Sequence, residues 1–295
     1  MKRSLVVITN RIVNLFKLMA VLGTKSIKVI SRPRKWIKIV RHPEIITQLY
    51  RNILNEKALG GGERAIIYNW EKARNGKEFD WNWGQLAHIN RYEWISPFVK
   101  GLRVLDVGCA GGSGTNYLAL HGAAEAVGVD VSPEAIDWAK NNYQAKNLRF
   151  VNADALFLPF NNKSFDIIVS FDTIEHVSKK DQRKFISEAA RIISSSGMVV
   201  IGTPNIEGDE TAILGRDNPF HEHELNRREF EELVCEFFAY VSIKGEDMVV
   251  DGERLKVKWL NYLSNNEISI ENIKIVDDDV EHTRGLIAVC KKPLI

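Results

Sequence analysis

The stretch Val104 to Thr115 reads VLDVGCAGGSGT. An apolar run ends in Asp106, and Gly108, Gly111, Gly112 and Gly114 follow within seven residues. Glycine at that density costs conformational entropy on folding, so something must approach this backbone closely enough to exclude side chains. A dinucleotide fingerprint would read G-x-G-x-x-G, with a pyrophosphate on the following helix N-terminus. Here the spacing from Gly108 to Gly112 is G-x-A-x-G, with Ala110 in the middle. Asp106, two residues before Gly108, would repel a pyrophosphate and suits a ligand that carries an ammonium group. A second acid, Asp130, closes the next apolar run, AVGVD. Its carboxylate can accept hydrogen bonds from both hydroxyls of a ribose. Nicotinamide dinucleotide sites share that feature, so Asp106 discriminates between the two ligand classes and Asp130 does not.

The elements that hold these acids follow from the pattern around them. From Gly101 onward, short apolar runs alternate with helical segments: RVLDVG, GTNYLALHG, AVGVD, SPEAIDWAKNNY, LRFVNAD, FDIIVSFD, KKDQRKFISEAARII, MVVIGTP, NRREFEELVCEFF, YVSIKG and GLIAVCKK. Ser132 followed by Pro133 predicts an N-cap and first helical residue. Asn226 and Glu229 predict a capping box. Such alternation predicts an α/β fold: a doubly wound, mostly parallel sheet of seven strands with helices on both faces. The glycine loop then joins the first strand to the first helix of that fold, at the carboxyl edge where ligands bind.

At this point the motifs carry a resemblance. VLDVGCAGGSGTNYLA, GVDVSPEAIDWA, NADALFLPF, FDIIVSFDTIEHV and RIISSSGMVVIGTPN, in this order, resemble the motifs of the class I S-adenosylmethionine-dependent methyltransferase family. Each is weak singly; five in order at normal spacing are specific. Ala110 departs from the usual glycine. The flanks, GGGER…HINRYEW and NPFHEHELNRREFEELV, resemble a methyltransferase type 11-like subgroup acting on small molecules and cell-surface glycans. The resemblance implies S-adenosylmethionine as cofactor. Asp106 and the backbone at Gly108, Ala110 and Gly112 would hold its methionine part. Asp130 and Val131 would hold ribose and adenine, Asp154 and Ala155 would meet the adenine, and Ser170 and Phe171 would lie under the sulfonium. The acceptor would be a small molecule, a lipid-linked molecule or a glycan, with an oxygen nucleophile expected. The alternatives are an NAD-dependent oxidoreductase and a cofactor-binding protein without catalysis.

A hydroxyl acceptor needs a base, and an imidazole titrates near working pH. The candidates are His176 in TIEHV and His221 and His223 in NPFHEHEL. Asp172, Glu175 and His176 share one helix face and resemble the carboxylate–carboxylate–histidine set of ubiquinone-pathway O-methyltransferases. Such residues also occur in metal-free relatives, and no metal is expected here.

The remaining sequence bounds the setting. Residues 1–57 hold thirteen Lys/Arg and two acids, about +11, while the rest of the 295-residue chain carries about −9. Residues 1–58 therefore read as a basic helical arm. Residues 59–295 read as the methyltransferase domain: a helical cap at 59–100, a cofactor-binding core at 101–245 and a variable tail with a closing strand at 246–295. Within Leu5–Leu22, Arg11 and Lys17 disfavour a membrane span, each costing roughly 2.5–3.5 kcal/mol near a bilayer centre. Asn10, Arg11, Asn14 and Lys17 recur at helical spacing and favour a helix lying on an anionic membrane surface. Nucleic acid is disfavoured because the arm lacks interleaved aromatic and basic residues. Cys109, Cys235 and Cys290 form no C-x-x-C pair, which fits a reducing, cytoplasmic setting with peripheral membrane contact.

Overall fold

The structure is a computed structural model describing residues 83–208, 220–250, 252–254 and 270–295. The expected arm, the first part of the cap and much of the tail lie outside the described residues. No helix among the described residues is long and apolar enough to cross a membrane.

The chain enters on helix α1 (Trp83–Ile95) and then alternates as its sequence pattern predicts. Strands β1 (Arg103–Val107), β2 (Glu125–Asp130), β3 (Leu148–Asn152), β4 (Phe165–Phe171) and β5 (Ile193–Pro204) are separated by helices α2 (Ser113–Leu120), α3 (Pro133–Asn142) and α4 (Gln182–Ile192), the last between β4 and β5. Helix α5 (Arg227–Cys235) leads into β6 (Phe238–Val250), then β7 (Glu253–Arg254), β8 (Ile273–Val276) and β9 (Gly285–Pro293). Both predicted caps form. The Ser132 hydroxyl accepts the Ala135 N–H at 3.1 Å, and Asn226 and Glu229 satisfy each other's backbone N–H at the start of α5.

The strand order is β3-β2-β1-β4-β5-β9-β6-β7, with β8 also paired to β6. Strands β1 to β5 are mutually parallel, and β9 runs antiparallel between β5 and β6. The sheet has nine strands rather than the seven expected. The excess comes from β6, which outruns β9: Phe238 to Glu246 pair with β9, and the continuation pairs with β8 and β7. Those two short strands arise in the tail and cover an edge that would otherwise offer unpaired backbone groups.

Alternation along the strands sorts the core into two layers. Leu105, Val107, Val127, Val129, Ile168, Val199 and Ile201 pack with Phe185 and Ile186 of α4 and Phe230 and Val234 of α5. Val104, Ala126, Ile167, Val169 and Val200 face the other way, onto Tyr92 and Ile95 of α1 and Leu118 of α2. Each fully buried Val, Leu, Ile or Phe contributes roughly 1.5–3 kcal/mol. The order reverses between β1 and β4, which in such sheets is where ligands bind, outside the carboxyl ends of the strands.

Candidate active site

The glycine loop is shaped by the protein's own side chains as much as by room for a ligand. Gly108 and Gly112 have φ of +78° and +79°. A Cβ at Gly108 would lie 2.2 Å from Thr173 Oγ1, and one at Gly112 would lie 2.5 Å from the Phe150 ring. Ala110 also adopts a left-handed φ of +48°, at a cost of roughly 1–2 kcal/mol that glycine would avoid. The loop is pinned from the neighbouring strand. Asp130 accepts the Ala110 N–H at 3.0 Å and the Ser132 N–H at 2.9 Å, and the Val129 carbonyl accepts the N–H groups of Gly108 and Cys109.

Asp106 is 1% exposed and sits behind this loop. Its carboxylate accepts the Tyr92 hydroxyl at 3.0 Å and the Thr115 hydroxyl at 2.6 Å. Burial pushes its pKa up to about 6, against the pull of those two donors. Ser170 is likewise buried, its hydroxyl donating to the Val107 carbonyl at 2.7 Å. Phe171 is buried edge-on against Tyr92. After β2, Val131 is apolar yet 61% exposed; after β3, Phe157 is 69% exposed, with the Lys184 ammonium over its ring. Asp154 is exposed and partly buried Ala155 follows; the Asp154 carboxylate accepts the Leu156 N–H at 2.8 Å.

On the other side of the switch point lies a cluster of acids, histidines and one arginine. Asp172, with φ +51°, follows β4 directly. Arg91 of α1 reaches it at 2.6 Å and also bonds Glu246 of β6 at 2.7 and 2.9 Å. Burial raises the Asp172 carboxyl, but Arg91 outweighs it and holds the group below its usual range. Glu246 is fully buried, and burial keeps it above the usual range in spite of Arg91. His88 lies 4.0 Å from Asp172, and burial pushes its pKa down to about 4.

Glu175 is also fully buried. Burial first, then Asp172, push its pKa up to about 8, against His221 and the Thr203 hydroxyl. One of its oxygens meets Thr203 at 3.1 Å, while Oε1 has no hydrogen-bond partner. Of Asp172, Glu175 and His176, Arg91 pairs with Asp172. Among the described residues, the donor atoms that converge, all within 4.8 Å of one another, belong to Glu175, His176 and His221.

The three histidines differ in what holds them. His176 Nδ1 lies 3.0 Å from the Phe220 carbonyl, and its ring meets that of His221 edge-on at 5.0 Å. His221 Nδ1 lies 2.5 Å from Glu224 Oε1. His223 is held through its backbone, its N–H donating to the Glu175 carbonyl and its own carbonyl accepting from Gln182. Its Nε2 is buried without a hydrogen-bond partner. Sequence reasoning missed Arg91, Tyr92, Thr115, Glu224 and Glu246. The adjacent Arg91 and Tyr92 in the expected helical cap, and Glu224 three residues after His221, were the available signals.

Residues 105–201 match the family described as methyltransferase domain. A probable S-adenosylmethionine-dependent methyltransferase of Mycobacterium tuberculosis is 32% identical over 169 residues, 56% of this chain and 58% of the relative. The chain thus matches little more than half the length of that relative. The phthiotriol/phenolphthiotriol dimycocerosates methyltransferase of Mycobacterium leprae is 31% identical over 195 residues, 64% of this chain and 69% of the relative. A ubiquinone biosynthesis O-methyltransferase of Coxiella burnetii is 38% identical over 145 residues, 43% of this chain and 57% of the relative. Among solved structures, an N-methyltransferase of Bradyrhizobium japonicum in complex with S-adenosyl-L-homocysteine shares the fold, with a TM-score of 0.51 at 17% identity, covering 82% of this chain and 98% of that one.

Proposed function

The chain belongs to the class I S-adenosylmethionine-dependent methyltransferase family, and on that premise we propose that it moves a methyl group to an oxygen nucleophile of a small-molecule, lipid-linked or glycan acceptor. The observation that carries the oxygen reading is the paired His221 and Glu224 beside buried Glu175, in the loops that follow β4 and precede α5. An imidazole backed by a carboxylate is a proton acceptor, which a hydroxyl acceptor needs.

The side chains at this edge of the sheet suit the cofactor by their chemistry. Exposed Val131 offers apolar surface for a purine, and the exposed Asp154 carboxylate suits its amino group. The Asp130 carboxylate ends β2 beside the glycine loop, where it accepts the Ala110 and Ser132 N–H groups, and a carboxylate is an acceptor suited to ribose hydroxyls. Gly108, Ala110 and Gly112 present backbone without bulk. In this reading Asp106 acts through Tyr92 and Thr115 as the post behind the loop, and Ser170 and Phe171 frame the floor. Bound S-adenosylmethionine supplies an electrophilic methyl carbon and a neutral thioether leaving group. The chain's own work is alignment, for which effective molarities of roughly 10⁵ M and above are attainable, and removal of the acceptor's proton.

An O-methyltransferase among the relatives supports the choice of oxygen. Of the alternative readings, an oxidoreductase would bind nicotinamide dinucleotide, and a binding module would take the cofactor and never form S-adenosylhomocysteine. The deciding experiment is metabolite and lipid profiling with labelled methyl donor in deletion and wild-type cells. A labelled hydroxyl-derived ether or ester that disappears in the deletion supports the proposal; labelled amines or thioethers instead would overturn the oxygen reading. The basic residues 1–57 are proposed to contact anionic membrane, each Lys or Arg adding about 1 kcal/mol near the surface. Salt-sensitive sedimentation of the full chain with anionic vesicles is expected, and no sedimentation at low salt removes that part.

A further inference from the structure

We propose that Glu175, His176 and His221 form a binding site for one divalent transition-metal ion of the zinc or iron(II) class. The site goes beyond the methyl-transfer reading and does not depend on it. Donor atoms of the three side chains all lie within 4.8 Å of one another. An ion that bonds imidazole nitrogen and carboxylate oxygen at about 2.0–2.2 Å holds tetrahedral ligands roughly 3.3–3.6 Å apart, so side-chain rotation closes the set around it.

Glu175 supplies an independent reason to expect a cation. It is fully buried in the turn Ile174–His176. The Thr203 hydroxyl donates to Oε2 at 3.1 Å, and Oε1 has no hydrogen-bond partner. A buried carboxyl oxygen left unpaired is costly, and a buried charge persists where it is paired or bound to a metal. Arg91 is committed to Asp172 and Glu246. Of the charged groups that face Glu175, Asp172 opposes its ionisation and His221 favours it. Without a cation, burial keeps this carboxyl neutral, and an arriving ion takes the place of its proton.

The two histidines are supported as metal ligands are. His176 Nδ1 lies 3.0 Å from the Phe220 carbonyl, and His221 Nδ1 lies 2.5 Å from Glu224 Oε1. An oxygen partner at one ring nitrogen orients a ligating imidazole and raises its basicity. The backbone holds the two segments together. The N–H groups of Glu222 and His223 donate to the Glu175 carbonyl at 2.8 and 3.1 Å, and Gln182 bonds the carbonyls of Ile174 and His223. Two imidazoles and one carboxylate suit zinc or iron(II), whereas magnesium and calcium take oxygen ligands. A ring nitrogen bound to the ion takes no proton, so the loaded site and the proton-accepting pair of the methyl-transfer reading are two states of the same residues.

The test uses the full chain with Zn²⁺ as the probe. Titration calorimetry should show saturable Zn²⁺ binding that E175Q and H221Q each weaken by at least about tenfold, with far-UV circular dichroism unchanged. E224L, which removes only the support of His221, should also weaken it by about tenfold. X-ray absorption of the wild-type chain at one equivalent of zinc needs no variant. It should show nitrogen and oxygen at about 2.0–2.1 Å with imidazole scattering, and no sulfur at about 2.3 Å. An absence of saturable binding, wild-type affinity in both E175Q and H221Q, or a sulfur shell overturns the site. Displacement of the Zn²⁺ by equimolar Mg²⁺ overturns the choice of a transition metal. None of these readouts involves a methyl acceptor, so failure of the metal site leaves the methyl-transfer reading standing, and a profile without a labelled acceptor leaves the metal site standing.

Discussion

Replacing Arg91 with Met should destabilise the fold by about 3–5 kcal/mol, the range for breaking a buried ion pair from one side. The structure shows why the upper part of that range applies. Arg91 is 3% exposed and gives three contacts, one to Asp172 and two to Glu246. Asp172 keeps about a third of its side chain in solvent and can recruit water, whereas Glu246 has none to recruit. The lost stability is thus mainly the cost of a carboxylate stranded between β6 and α1. Its sign with pH follows. Burial already holds the Glu246 pKa above the unfolded value of about 4.3, and removing Arg91 raises it further. A raised carboxyl favours the folded state in its neutral form. That contribution is fully present below the unfolded pKa and is lost as pH rises through the folded one. The deficit of Arg91→Met should therefore be small at pH 5 and large at pH 8. Urea unfolding at both pH values, read as a shift in midpoint with the slope unchanged, measures it. Adding Glu246→Leu should restore most of the loss, because an apolar pair of similar volume leaves no buried charge. A loss under about 1 kcal/mol at both pH values, or a double mutant no better than the single one, would refute the reasoning.

Asp130→Ala removes the carboxylate proposed to bind ribose and also frees the N–H groups of Ala110 and Ser132; charge-assisted bonds contribute roughly 1.5–3 kcal/mol each, so calorimetry should show S-adenosylhomocysteine affinity falling at least tenfold. Glu175, raised to about 8, binds its proton more tightly folded than unfolded, so it contributes stability at low pH that is lost as pH rises through about 8. Glu175→Gln should flatten that slope in urea titrations between pH 6 and 9, and an unchanged slope would reject the assignment. Gly114→Ala would ordinarily favour a helix interior by up to about 1 kcal/mol. Here the new Cβ would lie 2.1 Å from the Tyr92 ring, so thermal unfolding should show a loss of about 1–3 kcal/mol instead.

The sheet and its carboxyl edge were legible in the sequence because they are encoded at short range. Strand alternation, the Ser132 cap, the Asn226–Glu229 box and the acid closing β2 each involve residues a few positions apart, where backbone geometry dictates who meets whom. The partners of the buried polar groups were not legible. Arg91 meets Glu246 across 155 residues. Asp106 turns to Tyr92 and Thr115, and His221, 45 residues from His176 in the chain, converges with Glu175 and His176. Those choices are made where α1 and the segment before α5 come against the end of β4. A carboxylate there takes whichever donor burial brings within reach, and no period in the sequence records which one that is. Local pattern therefore determined where the site lies, and tertiary packing decided which acid is neutralised by arginine, which is left protonated, and which histidine acquires a carboxylate.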